Sequence, residues 1–225
     1  MPERFILEDP ESAARWAAGR IAGWIGDAIE ARGRASLALS GGRSPWVMMA
    51  DLFRRDLPWH AVDILQVDER IAPDGDDIRN MSRIGPLIIG SPAEHARVHP
   101  MRVGEGGDMA VSDYQVLLAG LAGPIDVVQL GLGDDGHTAS LVAGDPVLDV
   151  SDSPVAATAV RYRGTTRVTL TYPALDAARH VLWLVTGADK HRMVQLLEAG
   201  DATIPAGRVR SPEQVLVLDR AAATG

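Results

Sequence analysis

Residues 131–140 read GLGDDGHTAS and set one imidazole, His137, beside two carboxylates, Asp134 and Asp135, in a loop with three glycines. A histidine titrates near neutrality and can act as a general base, and a carboxylate such as Asp135 can fix its tautomer or hold a substrate hydroxyl. The stretch also contains the spacing Gly-x-Gly-x-x-Gly of dinucleotide-binding turns. That reading is poor, because the two aspartates would crowd a pyrophosphate with like charge. Gly144 and Pro146 would also stop any following helix after roughly two turns. What the glycines permit is tight folding that points His137 into a cleft. A single histidine is otherwise commonly structural or merely exposed, but a glycine-rich loop beyond a strand favours a functional one.

Two further loops carry usable chemistry. In LALSGGRSPWVMM, residues 37–49, a strand runs into Gly41 and Gly42, and Ser44-Pro45 has the form of an N-cap followed by proline at the first helical position. A helix N-terminus with free N–H groups and a neighbouring Arg43 can cradle a phosphate, although an ordinary strand-to-helix turn reads the same way. The loop has no P-loop spacing, and Ala38 stands where a nucleophile elbow needs its first glycine. In VDERIAPDGDDIRNMS, residues 67–82, Asp68, Glu69 and Arg70 lie at a strand end and Asn80 closes a polar, turn-forming stretch. Arg70 could grip a phosphate or carboxylate and Asp68 could orient hydroxyls; a solvated charged loop is the alternative.

The elements that would position these loops follow from patterning. Ala14, Ala17, Ile21, Trp24, Ile25, Ala28 and Ile29 recur at helical spacing, which predicts an amphipathic helix ending near Gly33. Apolar runs at 35–39, 62–67, 125–130, 168–170, 181–185 and 215–218 read as strands, and 47–53, 109–121 and 190–197 as helices. Near-continuous apolar strands are expected in a parallel sheet covered on both faces. The expected fold is therefore α/β: a three-layer αβα sandwich with an open, mostly parallel Rossmann-like sheet, formed as one domain over residues 1–225. In such sheets ligands bind beyond the carboxyl ends of the strands, where all three loops fall. The stretch VGEGGD, 103–108, reads as an exposed loop before a helix.

Composition narrows the function. A net charge of −8 disfavours nucleic acid as a partner, although a few local cations could still bind a small anion. Without cysteine there is no disulfide, thiolate nucleophile or cysteine-held metal. The stretch Met1 to Asp9 is charged where a secretory signal would be apolar, and no apolar run approaches the roughly 20 residues that span a bilayer, so a cytoplasmic protein with no membrane partner is expected. His95 and His99, four apart, could share a helical face, but Pro100 follows and no carboxylate pattern completes a metal site. Trp16, Trp24, Trp46, Trp59 and Trp183 are scattered and read as packing residues.

Together SGGRSP, VDER with Asn80, and GLGDDGHTASL resemble the motifs of the 6-phosphogluconolactonases, in the right order. The similarity continues through TTRVTLTYPALDAARHVLWLVTGADKHRMVQLL, where Arg167 and Lys190 match positions the family keeps basic. The histidine motif is specific; the serine-glycine-glycine loop is shared with glucosamine-6-phosphate deaminases of the same fold. The resemblance implies hydrolysis of 6-phosphoglucono-δ-lactone to 6-phosphogluconate in the oxidative pentose phosphate route, without metal or organic cofactor. It implies His137 as the base, Gly41, Gly42, Arg43, Ser44, Arg167 and Lys190 around the phosphate, and Asp68, Arg70, Asn80 and Asp135 meeting the sugar ring or orienting the base. The expected partner is this sugar phosphate lactone, with the protein a monomer or homodimer. Two departures bear on binding: Tyr162-Arg163-Gly164 replaces a proline-rich segment, so that Arg163 could compete with Arg167 for the phosphate, and Met81 replaces a frequent aromatic residue.

Two rivals differ in class. An amino sugar phosphate deaminase would read Asp-Glu-Tyr in place of Asp-Glu-Arg, and Gly-His-Ile-Ala-Phe in place of Gly-His-Thr-Ala-Ser. A non-catalytic sugar-phosphate sensor would normally carry a DNA-binding segment ahead of the sheet, whereas here the first strand read from the sequence follows a single helix.

Overall fold

The computed structural model describes residues 2–225; Met1, the first residue of the charged N-terminal stretch, lies outside them. Seven parallel strands form the main sheet in the order β1-β10-β9-β6-β2-β3-β5. They are β1 (Glu3–Leu7), β2 (Ala35–Leu39), β3 (Val62–Gln66), β5 (Arg97–His99), β6 (Val127–Leu130), β9 (His180–Val185) and β10 (Gln214–Asp219). A second, antiparallel sheet of three strands, β4 (Asp68–Arg70), β8 (Arg167–Leu170) and β7 (Val155–Ala157), has the order β4-β8-β7.

Alternate residues of the main strands enter two separate cores. Leu37, Leu39, Leu182 and Leu184 pack on one face with the helices α1 (Pro10–Arg32), α2 (Arg43–Leu52) and α3 (Met81–Ile88). Ala38, Val181, Trp183 and Leu216 pack on the other with α4 (Gly107–Ala119), α5 (Tyr172–Ala177), α6 (His191–Glu198) and α7 (Arg220–Thr224). Each fully buried Leu or Ile contributes roughly 1.5–3 kcal/mol, and burial on both faces is why these strands read as unbroken apolar runs. The α/β sandwich expected from the sequence is thus the observed architecture.

The long helix α1 is framed as its sequence dictates. The Asp9 carboxylate accepts from the Ser12 N–H at 2.7 Å, and Gly33 closes the helix in the left-handed region at φ 75.

The small sheet departs from expectation. The run 168–170 lies in this antiparallel unit and not in the parallel sheet. Its sequence, Arg-Val-Thr-Leu, alternates with period two: Val168 and Leu170 enter a core, while the Arg167 guanidinium and the Thr169 hydroxyl both meet Ser140. Asp68–Arg70, expected as a charged strand end, is itself a strand paired with β8. The strands β5 and β7 have three residues each, and β1 opens on Glu3-Arg4, so patterning predicts none of them. Residues 103–105 form a short helical turn with Val103 buried, so the exposed loop expected there is in part packed.

Chain order reverses between β2 and β6. From β2 the sheet grows to one side through β3 and β5, and from β6 to the other through β9 and β10. A crevice at the carboxyl ends of the strands is expected at such a switch point.

Candidate active site

The loops after β2, β6 and β9 and the strand β4 surround a cleft of about 740 Å³ at that switch point. Gly41, Gly42, Arg43, Ser44, Asp68, Arg70, Asn80, His137, Arg167 and Lys190 all line it. Asp135 does not; it reaches the cleft only through its contact with His137. Five guanidinium and ammonium groups and four carboxylates line the cleft of a chain whose net charge is −8, so the wall is locally cationic.

The histidine loop is folded around its own side chains. His137 Nδ1 lies 2.5 Å from Asp135 Oδ1, which also accepts from the His137 backbone N–H at 3.1 Å. Burial pushes the Asp135 carboxyl up, but the bonds from His137, with a further one from Tyr162, outweigh it and hold the group at about 2. An ionised carboxylate can only accept, so while this contact holds Nδ1 carries the hydrogen, and in the neutral imidazole the lone pair is on Nε2. Gly133 makes this possible: a Cβ there would sit 1.9 Å from Nδ1. No helix follows the loop, even for the two turns the sequence allows. Residues 138–145 run through turns, with Ala139 at φ 51, to a short helical turn at Pro146–Asp149. The pyrophosphate-binding helix of a dinucleotide site is therefore missing here.

The glycine loop after β2 approaches Asn80 closely. A Cβ on Gly41 would lie 2.0 Å from Asn80 Oδ1 and 3.1 Å from the Trp46 ring. The helix α2 begins one residue earlier than its expected cap, with Gly42 at the N-cap position and no side chain accepting from its first turn. Ser44 is not the cap: its hydroxyl is 2.5 Å from that of Thr186, beyond β9. That bond ties the β2 and β9 loops together. Lys190 enters from the β9 loop, paired with Asp189 at 3.3 Å.

Asp68 is buried in a polar web. Its Oδ1 accepts from Asn80 Nδ2 at 3.1 Å, its Oδ2 from the Ser140 hydroxyl at 2.5 Å, and Arg167 Nη1 lies 3.6 Å from Oδ2. Arg70 donates to Asn80 Oδ1 at 3.0 Å and to the Ile78 carbonyl at 2.5 Å. Burial lowers the Arg167 pKa, opposed by Asp68. Its Nε has no partner among the described residues, which leaves a buried donor on a residue of the cleft wall.

Sequence reasoning passed over three groups. Glu69 is fully buried and accepts from Gln66 Nε2 and from the backbone N–H groups of Arg70, Asn80 and Met81, all within 2.9 Å. It is the post on which the 70–81 loop is wound, and its place between two cleft residues was the available signal. Ser140, the last residue of GHTAS, joins Asp68 to Arg167. Tyr162, whose hydroxyl reaches Asp135 Oδ2 at 3.0 Å, carried only the signal of an unusual segment. Its neighbour Arg163 pairs with Asp134 at 3.1 Å and is mostly exposed.

Asp134, Asp135 and His137 offer ligand atoms within 4.8 Å of one another and could in principle share a cation, but Asp134 is engaged by Arg163 and Asp135 by His137. His95 and His99 do not share a helical face: His95 ends a short helical turn, whereas His99 lies in β5 and meets Asp63 at 2.8 Å. Trp24 and Trp59 are buried in one core with Trp16 and Trp46 half-buried against it, and Trp183 is buried in the other. Among the described residues no helix is long and apolar enough to cross a membrane.

Comparison with known proteins adds lineage to this geometry. A family model for glucosamine-6-phosphate isomerases/6-phosphogluconolactonase matches residues 8–218. A 6-phosphogluconolactonase of Rhizobium meliloti is 32% identical over 222 residues, covering 93% of this chain and 96% of that one. Another, of Streptomyces coelicolor, is 33% identical over 245 residues, covering 99% and 94%. The crystal structure of a 6-phosphogluconolactonase from Shewanella baltica superposes with a TM-score of 0.84 at 26% identity, covering 97% of each chain. A monomeric glucosamine-6-phosphate deaminase, at 20% identity and a TM-score of 0.79, shares the fold.

Proposed function

The chain belongs to the glucosamine-6-phosphate isomerase/6-phosphogluconolactonase family, and within it we propose that the protein is a lactonase that hydrolyses 6-phospho-D-glucono-1,5-lactone to 6-phospho-D-gluconate. The observation that carries this reading is the 2.5 Å contact between Asp135 Oδ1 and His137 Nδ1, which turns Nε2 into the candidate base, in a cleft lined by five cationic side chains. In the proposed reaction His137 Nε2 takes a proton from water as the water oxygen attacks the lactone carbonyl. Backbone N–H groups of the glycine loops stabilise the oxyanion that forms. Collapse of the tetrahedral intermediate breaks the bond to the ring oxygen, which receives the proton from His137, and the product acid ionises. Asp135 keeps the imidazole oriented and compensates its transient charge.

Gly41, Gly42, Arg43, Ser44, Arg167 and Lys190 would hold the 6-phosphate, and their shared place in the wall of one cleft supports that assignment. Asp68, Arg70 and Asn80 would face the sugar ring. No step requires a metal or organic cofactor. The product enters the oxidative pentose phosphate route, and a cytoplasmic setting, a single domain and a monomer or homodimer fit this role.

The test is lactone opening measured against the buffer rate. The protein should accelerate opening of the 6-phosphorylated lactone far more than of the unphosphorylated one, with no effect of EDTA. Loss of a general base in His137→Ala should lower kcat by roughly 10²–10⁴-fold. Equal rates on the two substrates would remove the phosphate site, and wild-type turnover by His137→Ala would remove the base.

A further inference from the structure

We propose that Tyr162 is a positioning residue for the Asp135–His137 pair, its phenol fixing carboxylate and imidazole in the arrangement that leaves Nε2 of His137 as the basic nitrogen. The two carboxylate oxygens of Asp135 are divided between two donors: Oδ1 takes Nδ1 of His137 at 2.5 Å, and Oδ2 takes the Tyr162 hydroxyl at 3.0 Å. Because the phenol hydrogen is spent on Oδ2, the lone pairs of the same oxygen face Nδ1 at 3.4 Å. Both contacts of the imidazole therefore favour hydrogen on Nδ1, the tautomer that a base at Nε2 requires. The two rings also touch, with centroids 5.0 Å apart and planes at 58°.

The phenol is held where it can do this. Tyr162 sits at the start of a tight turn closed by its N–H on the Thr165 carbonyl at 2.9 Å, with Arg163 and Gly164 both at positive φ, 51 and 91. The Arg163–Asp134 pair ties that turn to the histidine loop. The guanidiniums of Arg163 and Arg167 each lie 5.2 Å from the tyrosine ring centroid, within cation–π range. Burial raises the Tyr162 pKa, and the bond to Asp135 adds to the rise, so the phenol remains a donor at neutral pH. Tyr162 does not line the cleft, so it acts through the pair and not on the substrate.

The catalytic consequence rests on His137 being the base, so the test has two arms. Histidine ¹⁵N spectra of the free protein should show His137 with hydrogen on Nδ1 and a lone pair on Nε2. In Tyr162→Phe, which keeps the ring, that signature should move toward a mixture of both tautomers. Lactone kinetics should show kcat lower by roughly tenfold with KM unchanged, as for loss of one hydrogen bond to a charged group. Tyr162→Leu, which removes the ring contact as well, should show a larger loss of the same kind. An active wild type whose Tyr162→Phe variant keeps either the wild-type kcat or the wild-type histidine signature overturns the proposal. A wild type inactive on the lactone overturns the hydrolytic reading instead, and the spectra alone still decide whether Tyr162 sets the tautomer.

Discussion

Asn80 occupies the space that a side chain on Gly41 would need, its Oδ1 only 2.0 Å from where a Cβ would stand. The same amide donates to the Asp68 backbone carbonyl at 2.9 Å and accepts from Arg70 at 3.0 Å. Gly41→Ala must therefore push Asn80 away and loosen Asp68 and Arg70 together. Overpacking of this kind costs about 1–3 kcal/mol. The expected outcome is a lower urea midpoint together with a loss in kcat/KM of more than tenfold, and a variant with wild-type values in both would show that the loops do not interlock in solution.

Glu69 gives a prediction for the scaffold. A carboxylate with no exposure that accepts four hydrogen bonds, and lies 3.6 Å from the buried Arg79 guanidinium, cannot be removed without stranding its donors. Glu69→Ala should destabilise the fold by about 3–5 kcal/mol. The check is chemical denaturation, with Glu69→Gln, which keeps an acceptor, losing less. Equal stabilities for wild type and Glu69→Ala would refute the account.

For Asp135 the pH dependence has a definite sign. Its folded pKa, about 2, lies below the ordinary carboxylate value of 3.8. The stability it contributes is thus present above that ordinary value and is lost as pH falls through the folded one. The stability difference between wild type and Asp135→Asn should shrink as the pH falls from 4 to 2, on the order of that pKa interval. Because Asp135 stays ionised near neutrality, Asp135→Asn should lower kcat by roughly 10²-fold or more through loss of the oriented imidazole. A difference that grows on acidification would show the sign to be wrong.

Removal of a proposed phosphate anchor should act selectively. Lys190→Ala and Arg167→Gln should each raise KM for the phosphorylated lactone, by roughly tenfold for a charge-assisted contact, while opening of the unphosphorylated lactone stays as slow as before. Arg163→Gln is the comparison: Arg163 also lines the cleft and holds the Tyr162 turn, but it is paired with Asp134 and largely exposed, so KM should rise less. A larger KM effect at Arg163 than at Arg167 would exchange their roles.

The sequence made the parallel sheet legible because strands buried on both faces carry continuous apolar runs, as in Ala35–Leu39 and His180–Val185. It hid the small sheet, since β4 is three charged residues whose pairing with β8 depends on contacts distant in sequence. The cleft was legible at Gly41, Asn80 and His137, where residue type limits the local geometry. Glu69 was masked by the composition of its own motif: a carboxylate between Asp68 and Arg70 looks solvated, and only the fold shows three backbone N–H groups converging on it. Ser44 was misjudged because cap preference is local, whereas its bond to Thr186 joins two separate loops.

The open start of α2 has a consequence for anyone seeking a hardier version of this protein. No side chain caps that helix, and the serine best suited to do so points toward Thr186. A cap is worth about 1 kcal/mol, so a substitution supplying one would make the molecule tougher. It would also occupy the amides a bound anion would otherwise meet, and the gain in hardiness would come at the expense of affinity.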